Sequence, residues 1–259
     1  METSYPKVVV TGAAGFLGQA ILQVLIDAAV RVRALDVMPV QGSLAGVVES
    51  IVGDVADSAT VDRACEGCDA LIIAHMAPNQ PEVYATAEQP FDINVKGTAL
   101  LFEAAVKHGI RRVVLVSSIA VVAGHKKGAG KLGCDLPPLP VTTYGLTKSL
   151  QEQIADYHHR KSGITVAILR PAYVTDADTL TDKYGRQRPS VNWQFVDRRD
   201  VAGAALAALH AKELTFGRYY VHGHPGAVGH LDVGPTVHDL GWTPRYDFSA
   251  YPDDAPVAV

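Results

Sequence analysis

The sequence has little of what marks several whole classes of protein. Its three cysteines among 259 residues cannot form a disulfide framework, which favours a reducing compartment. Lysine and arginine number 23 against 27 aspartates and glutamates, so the net charge of −4 provides no basic surface for nucleic acid or an anionic membrane. No apolar run reaches the roughly 18 residues of a membrane span, and the N-terminal METSYPKVVV lacks the order of a signal peptide. These absences predict a cytoplasmic globular protein.

Apolar residues are abundant and regularly arranged. They make up 48% of the chain, enough for a sizeable core, and the length suits one large domain or two modest ones. Short β-branched runs alternate with stretches that have apolar residues at helical spacing. The runs are Lys7–Thr11, Val30–Leu35, Ala70–Ala74, Arg112–Ser117 and Thr165–Arg170, and the helical stretches are Leu17–Ala29, Phe91–His108 and Thr142–Ser162. This alternation predicts an α/β fold with a doubly wound parallel sheet of the Rossmann type.

The regular pattern weakens after about Tyr173. Thr175–Pro189 is predicted to be a loop, Asp200–Ala211 a helix and Arg218–His222 a strand. Because no linker separates these parts, we expect a single domain over residues 1–259. Residues 1–170 would form its Rossmann core, and residues 171–259 a short substrate-side extension.

A glycine-rich turn follows the first strand, in VVVTGAAGFLG. Gly12, Gly15 and Gly18 lie between that strand and a helix, where glycines allow a tight turn, close approach of a pyrophosphate and close helix packing. Asp36 ends the second strand, and its carboxylate can accept both ribose hydroxyls while repelling a 2′-phosphate. NAD is therefore favoured over NADP as the cofactor. Asp54, after the next turn, is a candidate partner for the adenine amino group.

Tyr144 and Lys148 lie four residues apart near the start of a predicted helix, in TTYGLTKS, and so share one face. A neighbouring ammonium stabilises a phenolate, which would let Tyr144 act as a general base near neutral pH. Ser117 and Ser118 end a predicted strand, where active-site groups of parallel sheets gather. A serine hydroxyl there could hold the substrate oxygen beside Tyr144.

Five features occur together in chain order, namely TGAAGFLG, Asp36, Asn94 in FDINVKGT, VSSIAVVAG and YGLTK. On these features the sequence resembles the short-chain dehydrogenase/reductase superfamily, specifically its extended, epimerase/dehydratase-like branch. The resemblance implies that Tyr144 is the acid/base, that Lys148 binds the nicotinamide ribose and that Ser118 holds the substrate. It further implies cofactor contacts along the glycine turn and the ends of the later strands, from Phe16, Leu17, Val55, Ala74, His75, Met76, Asn94, Pro171 and Val174. Epimerases of the branch often place the catalytic hydroxyl one residue later, where this chain has Ile119.

Within that branch the chain most resembles the uronate dehydrogenases. The resemblance implies hydride transfer from a sugar or sugar acid to NAD, a homodimer, and Arg188, five residues before Trp193, as the residue that binds the sugar carboxylate. Ile119 and Tyr173 replace residues expected near the substrate, so a more apolar pocket and a different hydroxy compound are open alternatives. Two other hypotheses for the function are an epimerase or dehydratase that retains NAD and a regulator that only senses NAD.

Other motifs are interpreted as structural. Cys65 and Cys68 form a CxxC without a second pair, which favours buried structural thiols. For His222, His224 and His230 no nearby acidic or cysteine residue completes a persuasive set of metal ligands, and we expect no metal. Lys126, Lys127 and Lys131 are predicted to lie in a solvated loop, with no nucleic-acid or membrane partner.

Overall fold

The computed structural model describes residues 7–80, 83–125 and 130–253. Lys126 and Lys127 of the predicted basic loop lie outside these ranges. Within the described ranges, no helix is both long and apolar enough to cross a membrane.

The described chain forms ten strands and six α-helices. The strands are β1 (Val8–Thr11), β2 (Val32–Asp36), β3 (Glu49–Val52), β4 (Ala70–Ile73), β5 (Arg112–Val116), β6 (Thr165–Pro171), β7 (Tyr173–Asp176), β8 (Thr181–Asp182), β9 (Phe195–Asp197) and β10 (Phe216–Val221). The helices are α1 (Phe16–Asp27), α2 (Ser58–Cys65), α3 (Gly97–Lys107), α4 (Thr143–Ser162), α5 (Arg198–His210) and α6 (Gly234–Leu240).

Seven of the strands form one parallel sheet in the order β3-β2-β1-β4-β5-β6-β10. Its central strands are buried because helices cover both faces. One face packs under α1 and α5 and the other under α2, α3 and α4. This arrangement is the doubly wound Rossmann-type sheet that the alternating pattern predicts.

Three details differ from the sequence-based expectation. The edge strand β3 was not expected, because its residues ESIV are largely exposed and lack an apolar run. The predicted helix Phe91–His108 begins with a π-helical turn, Phe91–Lys96. The predicted loop Thr175–Pro189 instead contains part of β7 and all of β8, which pair antiparallel.

The segment after residue 170 serves both the sheet and the substrate side. It supplies β10 and α5 to the Rossmann layers, so these layers extend beyond the expected boundary. It also forms a small second sheet in the order β8-β7-β9. The tail closes over this sheet, with Phe248 buried against Phe195, and the Asp200 carboxylate accepts the backbone N–H groups of Arg245 and Tyr246.

Candidate active site

The candidate site lies along the edge of the sheet where the parallel strands end. Thr11, Asp36, Ile73, Val116 and Pro171 are the last residues of β1, β2, β4, β5 and β6, and these strands all run in one direction. Ligands of open α/β sheets bind beyond this carboxyl edge. The fold therefore brings the glycine turn, the strand-end serines and the start of α4 to the same side of the molecule.

The glycine turn leaves a narrow space beside the start of α1. Gly12 has a φ of +68°, and a Cβ there would lie 2.7 Å from His75 Cα. A Cβ on Gly18 would lie 2.0 Å from the Gly12 carbonyl oxygen, so neither position accepts a side chain. Helix α1 begins at Phe16 after Gly15, without a side-chain cap. Its first N–H groups and dipole therefore suit a phosphate, and the turn fits the pyrophosphate of a dinucleotide.

Asp36 is held beside this turn at the end of β2. Its Oδ2 accepts the N–H of Ala14 at 3.0 Å, and its Oδ1 accepts the N–H of Met38 at 3.1 Å. The half-buried carboxylate is thereby oriented next to the glycine turn, as binding of an adenosine ribose requires. Asp54 is exposed after β3 and accepts the N–H of Ala56 at 2.8 Å, and its neighbour Val55 is buried.

His75 faces the interior rather than the cleft. Its Nδ1 lies 2.9 Å from Thr11 Oγ1 and its Nε2 lies 3.1 Å from the carbonyl oxygen of Ile93. Burial lowers the pKa of its imidazole to about 3, so the ring is neutral. The His75 backbone lies under Gly12, so its main-chain atoms are the part available for the predicted cofactor contact, which stays a prediction. Ala74 and Met76 on either side of it are half-buried.

Asn94 is fully buried and connects two elements of the site. Its Oδ1 accepts the N–H of Ala77 at 2.7 Å, and its Nδ2 donates to Thr147 Oγ1 at 2.9 Å. The amide thereby ties the loop after β4 to helix α4. The structure thus gives Asn94 a positioning role, and its predicted contact with the cofactor stays a prediction.

Tyr144 and Lys148 lie on the first turns of α4, which Thr142 caps by accepting the N–H of Gly145. Lys148 Nζ lies 5.9 Å from the centroid of the Tyr144 ring and donates to the carbonyl oxygen of Val116 at 2.9 Å. Burial, reinforced by the charge of Lys183 and opposed by Glu152, lowers the pKa of Lys148 to about 7. Lys148 in its ammonium form therefore lies beside the Tyr144 phenol, the arrangement in which a cation stabilises a phenolate.

The two strand-end serines have different surroundings. Ser117 Oγ donates to Glu152 Oε1 at 2.6 Å, and Glu152 in turn accepts two hydrogen bonds from Arg170. Ser117 is therefore part of a buried structural network. Ser118 Oγ accepts the N–H of Ala120 at 3.1 Å and caps the short 3₁₀ turn Ile119–Val122.

That turn packs directly against the start of α4. A Cβ on Gly145 would lie 2.7 Å from the carbonyl oxygen of Ala120. Ser118 and Ile119 therefore border the helix turn that carries Tyr144. Of the two serines, Ser118 is the one left as the candidate for holding a substrate oxygen.

The remaining expected substrate and nicotinamide contacts follow β6. Tyr173 donates its hydroxyl to Asp182 Oδ2 at 2.7 Å, and the Arg188 guanidinium lies 5.7 Å from the centroid of the Tyr173 ring. Arg188 also lines a surface groove with Asp178 and Tyr251. Pro171 is buried at the end of β6, and Val174 packs against the core under α1 and α5.

Lys183 is a site residue that no sequence motif indicates. Its Nζ lies 5.8 Å from the centroid of the Tyr144 ring and 3.1 Å from Met76 Sδ. In the sequence it is one basic residue in a polar stretch between β6 and α5, and nothing in its spacing relates it to Tyr144. The pairing of β7 with β8 places it there.

The cysteines and the C-terminal histidines have separate surroundings. Cys65 and Cys68 are free and buried, and burial raises the pKa of both thiols, as inert structural cysteines require. His222 contacts Trp242, His224 pairs with Asp253 at 2.8 Å, and His230 stacks on Trp193. In the part of the chain that the structure describes, no group of three or more metal-ligating side chains comes together.

Comparison with known proteins identifies the family. The model of the NAD dependent epimerase/dehydratase family matches residues 8–179, more than half of the chain. Sterol demethylase protein B of Methylococcus capsulatus is 31% identical over 240 residues, 86% of this chain and 71% of that protein. A uronate dehydrogenase of Pseudomonas syringae is 30% identical over 65% of this chain and 60% of its own length. L-arabinose 1-dehydrogenase (NAD(P)(+)) of Haloferax volcanii is 29% identical over 68% of this chain and 70% of its own length.

Solved structures extend the likeness over nearly the whole chain. Uronate dehydrogenase from Agrobacterium tumefaciens superposes with a TM-score of 0.77 and 26% identity, covering 95% of this chain and 86% of that one. A mutant of that enzyme complexed with NAD has a TM-score of 0.76 and 25% identity over the same shares. The glycine turn, in which Gly12 and Gly18 admit no side chain, and the oriented Asp36 carboxylate are what a bound NAD requires. The chain belongs to the NAD-dependent epimerase/dehydratase family, a family of dehydrogenases and related enzymes, and its cofactor is NAD.

Proposed function

We propose that this protein is an NAD-dependent dehydrogenase that oxidises a hydroxyl group of a sugar or sugar acid. The observation that carries the proposal is the placement of Tyr144 beside the buried Lys148, at the strand-end edge that also holds Ser118 and the glycine turn. Two kinds of relative support the substrate class by name, namely uronate dehydrogenases and an L-arabinose 1-dehydrogenase.

In the proposed mechanism, Tyr144 in its phenolate form takes the proton of the substrate hydroxyl. The Lys148 ammonium stabilises the phenolate and, with the cofactor present, binds the nicotinamide ribose. Ser118 orients the substrate oxygen toward Tyr144, and Ile119, Tyr173 and Arg188 border the substrate. The glycine turn Gly12–Gly18, Asp36 and the strand ends would hold NAD. When bound, NAD supplies the acceptor for the hydride that leaves the substrate carbon bearing the hydroxyl group. The products are a carbonyl compound and NADH.

The proposal is tested by measuring NADH formation with uronic acids, neutral aldoses and nucleotide sugars. Replacing Tyr144 with Phe removes the proton acceptor, so we expect turnover to fall by roughly 10²- to 10⁴-fold, the range for general acid–base groups. NAD affinity, measured by calorimetry, should change little because the glycine turn is untouched. Turnover retained in the Tyr144→Phe variant contradicts the mechanism.

A hydroxysteroid is a second candidate substrate, favoured by the extent of the matches. Two relatives match over most of this chain, namely the sterol demethylase protein B, over 86%, and a 3-beta-hydroxysteroid dehydrogenase of Mycolicibacterium neoaurum, over 92% at 25% identity. The apolar residues Ile119 and Met76 suit such a substrate. A 3β-hydroxysteroid therefore belongs in the same screen, and NADH formed only with it would replace the sugar assignment.

Two further alternatives differ in what happens to the cofactor. An epimerase or dehydratase would keep NAD bound and return the hydride, so sugar would be converted with no net NADH. A protein that only senses NAD would bind the cofactor and turn over no member of the screen. The buried Lys148 beside Tyr144 favours catalysis over sensing.

We also propose a homodimer formed through α3 and α4. Both helices lie on the outer face of the same layer, and each presents exposed apolar residues. Val106 on α3 is 41% exposed and Tyr157 on α4 is 46% exposed. A shared face of this kind suits an isologous interface.

A further inference from the structure

Strands β7 and β8 and the turn that follows form a hairpin, Tyr173–Gln187, in which β7 also pairs with β9 and the turn after β8 is held by hydrogen bonds within the hairpin. The Asp182 carboxylate is buried and acts as its centre. Oδ1 accepts the N–H groups of Tyr184 at 2.8 Å and Arg186 at 3.0 Å, while Oδ2 accepts the Tyr173 hydroxyl and Arg186 Nε. The turn that carries Lys183 is therefore held in place by hydrogen bonds of its own hairpin.

The turn after β8, which carries Lys183 and Tyr184, reaches the loop after β4. Tyr184 donates its hydroxyl to Asn79 Oδ1 at 3.1 Å, and Lys183 Nζ lies 3.1 Å from Met76 Sδ and 3.4 Å from Asn79 Oδ1. The contacts of Lys183 and Tyr184 with Met76 and Asn79 connect the substrate-side segment to the Rossmann core. Lys183 is thereby placed over the Tyr144 ring.

Two ammonium groups consequently flank one phenol. Lys148 Nζ lies 5.9 Å and Lys183 Nζ 5.8 Å from the centroid of the Tyr144 ring, and they come from different elements, α4 and the hairpin. Glu152 faces Lys148 from its own helix, and the Lys183 ammonium lies 4.6 Å from the centroid of the Tyr184 ring, beside the Met76 sulfur and the Asn79 amide oxygen. Lys148 is buried whereas Lys183 is exposed, so an anion from solvent can reach the Lys183 ammonium and reduce the repulsion between the two like charges.

We propose that Lys183 is a specificity-determining residue whose ammonium binds an anionic group of the substrate, a carboxylate or a phosphate, next to the hydroxyl that Tyr144 deprotonates. The inference rests on the proposed function and deepens it. It assigns the anion-binding role to Lys183 in place of Arg188, which lies against Tyr173 and the groove lined by Asp178 and Tyr251.

The test measures binding of three probes to the protein saturated with NADH, which prevents oxidation of the sugar. D-galacturonate carries a carboxylate, D-galactose 1-phosphate a phosphate, and D-galactose neither. For Lys183→Met we expect calorimetric affinity for the anionic probes to fall roughly 10- to 100-fold, the range for one hydrogen bond to a charged group. Affinity for galactose should stay within about 2-fold, because no charge is recognised.

Three variants separate this role from a structural one. Lys183→Arg should restore most of the affinity, and Lys212→Met, which removes an exposed lysine on the surface, should change none of the three affinities. The probe that binds more tightly to the wild-type protein identifies the carboxylate or the phosphate as the source of the anion. Selective loss in Arg188→Met instead of Lys183→Met would return the role to Arg188.

The proposal is overturned if the wild-type protein binds galactose as tightly as both anionic probes, if it binds none of them, or if Lys183→Met weakens all three equally. The proposed function fails by a different measurement, the absence of NADH formation from any sugar with NAD. Selective binding without NADH formation would therefore reject the dehydrogenase assignment and support the role of Lys183.

Discussion

A single buried lysine shows how the site's chemistry acts against the stability of the fold. Lys148 is 3% exposed, and its ammonium is partnered by the carbonyl oxygen of Val116. Its pKa of about 7 lies well below the value of about 10.4 expected in the unfolded chain. The unfolded chain therefore binds more protons between these two values, and folding stability rises with pH across this interval.

We expect Lys148→Met to stabilise the protein while abolishing turnover. Below pH 7 the wild type carries the full penalty of a buried charge, so the variant should gain about 1–3 kcal/mol in free energy of unfolding after the lost hydrogen bond is counted. The gain should shrink as the pH rises from 7 toward 10. Urea denaturation without NAD at pH 6.5 and 9.5 measures it, with Lys212→Met as the control. A gain that grows with pH would show that Lys148 is not buried as a cation.

At the scale of elements, helix α4 is positioned by a buried ion pair. Glu152 accepts hydrogen bonds from Arg170 Nε at 2.9 Å and Nη2 at 2.6 Å, and Ser117 Oγ donates to the same Oε1 atom as Arg170 Nε. Arg170 also donates to the carbonyl oxygen of Cys134. The network joins α4 to the ends of β5 and β6, and so sets where Tyr144 lies relative to Ser118.

Removing one member of this pair should be costly. Glu152→Ala leaves Arg170 charged, buried and unpaired, and we expect a loss of about 3–5 kcal/mol in free energy of unfolding. Asp156→Ala breaks the exposed pair with Arg160 on the same helix and should cost less than about 1 kcal/mol. Ser117→Ala is the milder variant, expected to lose about 1–3 kcal/mol, if Glu152→Ala does not fold. Equal losses for Glu152→Ala and Asp156→Ala in urea denaturation would contradict the positioning role.

The parts of the fold and site that could be predicted from the sequence are those that depend on residues close together in the chain. The glycine turn, Asp36 and the Tyr144–Lys148 spacing are short motifs whose geometry follows from one strand or one helix, and the sheet followed from alternation of apolar runs. Lys183 and the orientation of Asn94 depend on contacts between segments distant in the chain. Strand β3 was missed because its exposed edge residues have no apolar pattern, and the hairpin because its polar strands resemble a loop.

For the whole molecule, the proposed dimer gives a test at the scale of assembly. Tyr157→Glu places a charge on the exposed apolar face of α4 and should convert a dimer to a monomer, since an unpaired charge in an interface is strongly unfavourable. Val237→Glu introduces the same charge on α6, at a residue that is 44% exposed, and should leave the mass unchanged. Light scattering after size-exclusion chromatography measures both. A monomeric wild-type protein would reject the dimer.

The internally bonded hairpin has a consequence for how enzymes of this shape can diverge. Asp182 satisfies the turn from within, while the acid/base couple stands on α4 and is anchored separately through Arg170. Replacement of the turn 183–186 by one of another length or charge would leave the proton-transfer residues, the glycine turn and the pairing of β7 with β9 in position. This turn is thus a unit in which new substrate preferences can evolve, or be grafted by design, on an unchanged catalytic scaffold.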